Sequence, residues 1–275
     1  MAPRPASGAE GVGFIKDIDE TPAPLLEHLV ELRARLLRAV AALAVAFFVS
    51  LYFAKDILAF LVQPLLDAGQ DRLIYTKLYG QFFVELKVAL WSAFFVSFPV
   101  IANQLWAFIA PGLYAKEKKA FLPFLLATPV LFLAGGALAY FVVMPTAFHW
   151  FLGFQGRPGG VVIEALPNSE DYLGLVMQFI LAFGLSFLLP VLLLLLNIAG
   201  IVSREQLVRA RRYMIVLAFV IAAVATPPDV ISQLMLAIPL VLLFEGSLLV
   251  MRFMERKERS TADEGEPAAP VEEGG

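Results

Sequence analysis

The chain has 275 residues, of which 60% are hydrophobic and only 16% charged, with a mean hydropathy of +0.78. A soluble domain averages about 45–50% apolar and about 25% charged, so one water-soluble core is excluded and an all-α integral membrane protein is expected. The absence of cysteine excludes disulfides, a thiolate nucleophile and any cysteine-ligated metal or iron–sulfur site. The net charge of −3 says little until its distribution is read along the chain.

Residues 1–24 are rich in Pro, Gly and Ala. They lack the long apolar run and small-residue cleavage site of a secretory signal, and are expected to form a disordered tail. The membrane domain is expected over 25–255. It begins with the charged amphipathic phrase Leu25 to Arg38, in which Leu25, Leu29, Leu32 and Leu36 fall on one helical face and Glu27, Glu31 and Arg35 on another. Six apolar stretches follow, at about 36–54, 82–109, 120–145, 171–197, 213–226 and 230–251. Each is a candidate span, since a bilayer core of about 30 Å needs roughly 20 helical residues. The fifth is short. Tyr213 to Ala225 covers only ~20 Å at ~1.5 Å per residue, and Thr226-Pro227-Pro228-Asp229 ends it, with Asp229 placed to cap the next helix. A short hairpin of fifth and sixth helices, together with Pro99, Pro123, Pro129, Pro190 and Pro239 inside spans, predicts a curved, concave bundle. Residues 256–275, acidic and Gly/Pro-rich, are expected to be a second disordered tail.

Lysine and arginine set the orientation. Placing both termini in the cytoplasm puts 16 of the 21 basic residues on that side. They cluster before span one (Arg33, Arg35, Arg38), after span two (Lys116, Lys118, Lys119), after span four (Arg204 to Arg212) and after span six (Arg252 to Arg259). The positive-inside rule then gives an N-in, C-in topology. Glu245, inside span six, is an intramembrane ionisable residue. Such a group reads as functional or carefully paired.

Several strings together resemble the TatC family, the multispanning core subunit of the twin-arginine protein translocase. They are His28-Leu29-Val30-Glu31-Leu32-Arg33, the run Gln104 to Tyr114 with Glu117, Ala139-Tyr140-Phe141-Val142-Val143 with Pro145, Ala182-Phe183-Gly184, and Thr226 to Val230 with Ser232-Gln233. The likeness spans roughly 25–255. It implies a signal-peptide receptor that exports folded proteins across the cytoplasmic (inner) membrane, driven by the proton-motive force. TatA/TatB-type single-span proteins would be its partners, within a homo-oligomer in a larger complex. It implies no cofactor, no metal, no nucleic acid and no enzymatic activity.

The same resemblance assigns Glu31, Glu117, Arg33, Phe108, Gln104, Leu113 and Pro64 to the signal-peptide surface, and Thr226 and Gln233 to contact with partner helices. Read from spacing alone, Glu31 is half of an i,i+4 pair with Arg35. Read with the resemblance, it accepts an incoming guanidinium, whose planar fork a lysine cannot copy. The chain departs from the family in the fourth span, where Phe187-Leu188-Leu189-Pro190 carries leucine where a carboxylate or amide is often found. No phosphate-binding loop or H-E-x-x-H helix is present, and the two histidines, His28 and His149, cannot make a metal cluster. The alternative expectation is a small-molecule secondary transporter, disfavoured because the short last hairpin has no counterpart among the first three spans.

Overall fold

A computed structural model describes residues 23–113 and 118–265, with side chains described over 29–108 and 124–256. The described residues are mostly helical, joined by loops that hold two isolated bridges, Ile74 with Asn168 and Gly156 with Ile163. In chain order the helices are α1 (Ala23–Tyr52), α2 (Ala54–Asp67), α3 (Gly80–Leu113), α4 (Lys118–Leu138), α5 (Met144–Leu152), α6 (Ser169–Ser186), α7 (Leu189–Ile198), α8 (Arg204–Arg209), α9 (Arg211–Ala225) and α10 (Val230–Gly265).

Five stretches are long and apolar enough to cross a membrane: Leu29–Tyr52, Gly80–Phe108, Phe124–Leu152, Ser169–Ile198 and Val230–Arg256. The remaining expected span is α9, whose 15 residues reach only about 22 Å. The expectation of a short sixth helix is corrected. α10 runs for 36 residues, because Pro239 is absorbed within a membrane helix and the charged stretch after Met251 continues the same helix.

Two of the long stretches are compound. A π-helical turn, Ala139–Val143, joins α4 to α5, immediately before Pro145 at the start of α5. Extra residues in a π-turn and a missing proline N–H both bend a helix. α6 gives way to α7 at Phe187-Leu188, with Pro190 in the first turn of α7. Pro at that position costs nothing, since its N–H would have had no partner. α2 is an element the hydropathy pattern does not announce. It is a 14-residue helix with buried Ala54, Leu61, Pro64 and Leu65, placed directly after α1.

The main core gathers Leu61 and Leu65 of α2, Val84 and Val88 of α3, Met144 and Phe148 of α5, Val176, Phe179 and Phe183 of α6, and Leu236 and Leu240 of α10. A second cluster, Leu193, Leu207, Phe244, Leu248 and Met251, joins α7 and α8 to the later half of α10. α1 stands apart. It packs chiefly along α3, and only 11% of its apolar stretch is buried, against 33–44% for the other four.

α4 and α6 cross at glycine. A Cβ on Gly135 would overlap the Phe183 carbonyl, and one on Gly184 would stand 2.8 Å from Phe132 Cε2. Gly174, also in α6, has open space around it. On one side of the bundle the loops are tied together. Ser169 N–H donates to the Ile74 carbonyl (2.8 Å) and Ile74 N–H to that of Pro167 (3.0 Å). The Gln70 amide donates to the Arg72 and Ala165 carbonyls, and Glu170 pairs with Lys87.

Gly135→Ala is expected to lower the melting temperature of the detergent-solubilised protein, as overpacking against backbone costs roughly 1–3 kcal/mol. Gly174→Ala is expected to raise it slightly, by the helix propensity gained. Thermal melts of the two variants beside the parent check both signs.

Candidate functional site

α1 delivers the first group of site residues. Glu31 Oε1 accepts from Arg35 Nε at 3.0 Å, and Arg35 Nη2 donates to the same oxygen. The Glu31 side chain is 37% exposed and that of Arg35 19%. Arg33 and Arg38 are exposed. The i,i+4 spacing therefore forms its ion pair, with a partly exposed carboxylate holding a guanidinium.

α3 carries the second group. Ser50 near the end of α1 and Trp91 in the first half of α3 line one groove, and α1 packs chiefly along α3. Glu31 lies ~28 Å back along α1 from Ser50, and Gln104 and Phe108 lie ~20–26 Å forward along α3 from Trp91. Gln104 is partly exposed, yet its Oε1 is buried without a hydrogen-bond partner. Trp106 Nε1 donates to Thr128 Oγ1 at 2.8 Å, and that hydroxyl donates to the Phe124 carbonyl, which fixes the end of α3 against α4. Phe108 is partly exposed. Glu117 lies outside the described residues, as does the side chain of Leu113.

Pro64 sits elsewhere, buried in α2. Its missing N–H leaves the Phe60 carbonyl, one turn earlier, without its helical donor. Tyr140 supplies the bond, its hydroxyl donating to the Phe60 carbonyl at 2.6 Å while its ring stacks on Phe60 with centroids 4.3 Å apart. The Tyr172 hydroxyl donates to the next carbonyl, Leu61, at 2.7 Å. Tyr140 and Tyr172 are thus internal clamps on α2. Beside them is the groove already mentioned, about 390 Å³ in volume, with an apolar lining that includes Phe60, Trp91, Phe95, Leu133, Tyr140 and Met177.

Around the α9–α10 turn, Thr226 is buried and its hydroxyl donates to the Ala222 carbonyl (2.8 Å). The Gln233 amide donates to the Phe219 carbonyl (3.3 Å). Asp229 Oδ1 accepts from Ser232 N–H at 2.7 Å, the N-cap arrangement. Its other oxygen is buried with no partner. Glu245 pairs with Arg211 of α9 at 2.8 Å, both about half exposed. Leu188 packs with the apolar cluster of Phe98, Ala102 and Phe132, whose two phenylalanine rings stack 3.6 Å apart. Apolar contact occupies the place where a polar side chain would have needed a partner. Among the described residues no group of acidic and histidine side chains could hold a metal ion.

Residues 27–239 match the family described as Sec-independent protein translocase protein (TatC). The chain is 50% identical to the Sec-independent protein translocase protein TatC of Magnetococcus marinus, over 91% of this chain and 92% of that one. It is 40% identical to the protein of that name from Escherichia coli K12, over 88% and 93%. A solved crystal structure of the twin-arginine translocase receptor TatC superposes with a TM-score of 0.70 at 38% identity, covering 82% of this chain and 98% of that one.

Tyr140→Phe is expected to destabilise the protein by about 1 kcal/mol, the net worth of one intramolecular hydrogen bond. Adding Pro64→Ala, which restores the N–H that Phe60 lacks, is expected to recover most of that loss. A double-mutant cycle of thermal or denaturant unfolding measures the coupling.

Proposed function

The chain belongs to the TatC family, and from that premise we propose that it is the signal-peptide receptor of the twin-arginine translocase, reading paired arginines with Glu31 and Glu117. It is a multi-pass membrane protein and a translocase component rather than an enzyme.

The observation that carries the receptor reading is the state of Glu31. Its carboxylate already binds a guanidinium through two N–H groups of Arg35 while remaining over a third exposed. An arginine arriving from a peptide would meet the same chemistry and would compete with Arg35 for it. Guanidinium–carboxylate pairing is bidentate and planar. A lysine ammonium offers charge without that fork, so the site selects arginine by geometry. In this reading Glu117 takes the second arginine. Arg33, Gln104, Phe108 and Leu113 line the approach, the two apolar side chains holding the apolar part of the peptide. Pro64 contributes from α2.

The basic residues favour both termini in the cytoplasm, in the inner membrane of a bacterium-type cell. Thr226 and Gln233, beside the short α9, are the proposed contacts for TatA/TatB-type single-span helices, in a complex holding several copies of this chain. A helix too short to cross an undisturbed bilayer thins it locally or leaves its turn below the surface, and such a place suits recruitment of further helices. The proton-motive force supplies the energy.

A photoreactive twin-arginine signal peptide is expected to label the protein in membranes near Glu31, and the same peptide with Lys-Lys is expected to lose that labelling. Glu31→Gln is expected to weaken labelling by roughly tenfold to a hundredfold, the range for losing charge-assisted hydrogen bonds. Arg35→Gln, which removes the internal competitor, is expected to keep or raise it. Equal labelling by the Arg-Arg and Lys-Lys peptides would overturn the receptor assignment.

A further inference from the structure

Where the apolar length of α10 ends, at Arg256, a second groove of about 380 Å³ opens between α8 and α10. Leu249, Arg252, Phe253 and Arg256 recur at i, i+3, i+4 and i+7, which places them on one face of α10. Arg204, the first residue of α8, closes the other wall. Leu249 and Phe253 are 53% and 61% exposed, an apolar surface beside the arginines. Arg252 and Arg256 are exposed, and neither makes an ion pair with another described residue. Arg204 reaches Glu255 with Nη1 at 3.4 Å, yet its Nε is buried without an acceptor. A buried N–H donor left open costs free energy that a ligand oxygen would recover.

We propose that this groove binds the phosphodiester of an anionic phospholipid, with Arg204, Arg252 and Arg256 on the phosphate oxygens and Leu249 and Phe253 against the first methylenes of an acyl chain. Guanidinium forks match the paired oxygens of a phosphate. Basic pockets beside the ends of membrane helices are where anionic headgroups bind. The charge present narrows the ligand. Glu205 and Glu255 also line the groove, so its described lining carries three arginines against two carboxylates, suited to a singly charged phosphodiester rather than a polyphosphate. The apolar rim favours a lipid over a free phosphate ion. The lipid would brace α8 against α10, which the small cluster around Leu207 and Leu248 and the Arg204–Glu255 pair already join. The site rests on the proposed topology only for the choice of leaflet, and its binding chemistry is independent of signal-peptide recognition.

The test titrates the full-length protein in neutral detergent with phosphatidylglycerol, phosphatidylcholine and inorganic phosphate, and counts bound molecules by native mass spectrometry. Phosphatidylglycerol is expected to bind in preference to phosphatidylcholine. The double variant Arg252→Gln/Arg256→Gln is expected to lose roughly 30-fold in phosphatidylglycerol affinity, while Arg252→Lys/Arg256→Lys retains part of it. Phe253→Ala is expected to weaken phosphatidylglycerol and leave inorganic phosphate unaffected. Equal binding of the two lipids, an unchanged preference in the glutamine double variant, or displacement of phosphatidylglycerol by equimolar phosphate would each overturn the proposal. Parallel signal-peptide labelling separates the two readings. Lipid binding without labelling removes the receptor function and keeps the lipid site, and labelling without lipid binding does the reverse.

Discussion

A carbonyl without a donor is expensive where water is scarce, and α2 contains one by necessity. Pro64 takes away the N–H that Phe60 would have received, and the hydroxyl of Tyr140 replaces it across 80 residues of sequence. Tyr172 adds a second bond on the adjoining carbonyl. Through these two side chains a 14-residue helix, too short to be stable alone, is fixed to the π-turn after α4 and to the first turn of α6. The apolar groove beside Phe60 and Trp91 has its shape because α2 is held there. So does the direction of α1, which enters α2 after a single residue.

The same demand explains the other irregular places. The helix joints at Ala139–Val143 and at Phe187-Leu188 both lie next to a proline, and each has one face packed against the protein, at Tyr140 and Val143 in one case and around Leu188 in the other. Non-helical backbone at membrane depth is tolerated where other protein groups surround it. Close helix crossing at Gly135 and Gly184 supplies that packing, since small residues let two backbones approach where water gives no hydrophobic push. α1 lies outside this network. It is attached mainly along α3 and exposes most of its apolar surface, while its first turns carry Glu31 and Arg35. A weakly buried helix bearing the proposed recognition carboxylate suits a surface that must receive other helices.

Much of this was legible from residues. The long apolar stretches, the proline-ended α9 and the cap at Asp229 follow from hydropathy, proline chemistry and side-chain capping, all of which act within a few residues. The pairing of Glu31 with Arg35 is likewise local, one helical turn apart. α2 was not legible. Its sequence, Ala54 to Asp67, is a short apolar run broken by Pro64 and closed by charges at both ends, too short to read as a span, and the groove and the two tyrosines give it a place to pack. α10 was expected shorter than it is, because the charge run after Met251 marks a membrane boundary without marking a helix end.

The sequence by itself determined a helical membrane protein, most of its apolar helices, the clustering of basic residues between them and a family signature running through them, since these depend on composition and short-range periodicity. The tertiary structure alone decided who answers whom over long distances. It gave Glu245 its partner in Arg211, Pro64 its compensating tyrosine, and Leu188 an apolar setting among Phe98 and Phe132 in place of a polar contact. It also set Arg204 against the face of α10. Those pairings join residues tens of positions apart, and no local pattern encodes them, because they exist only once the helices have packed.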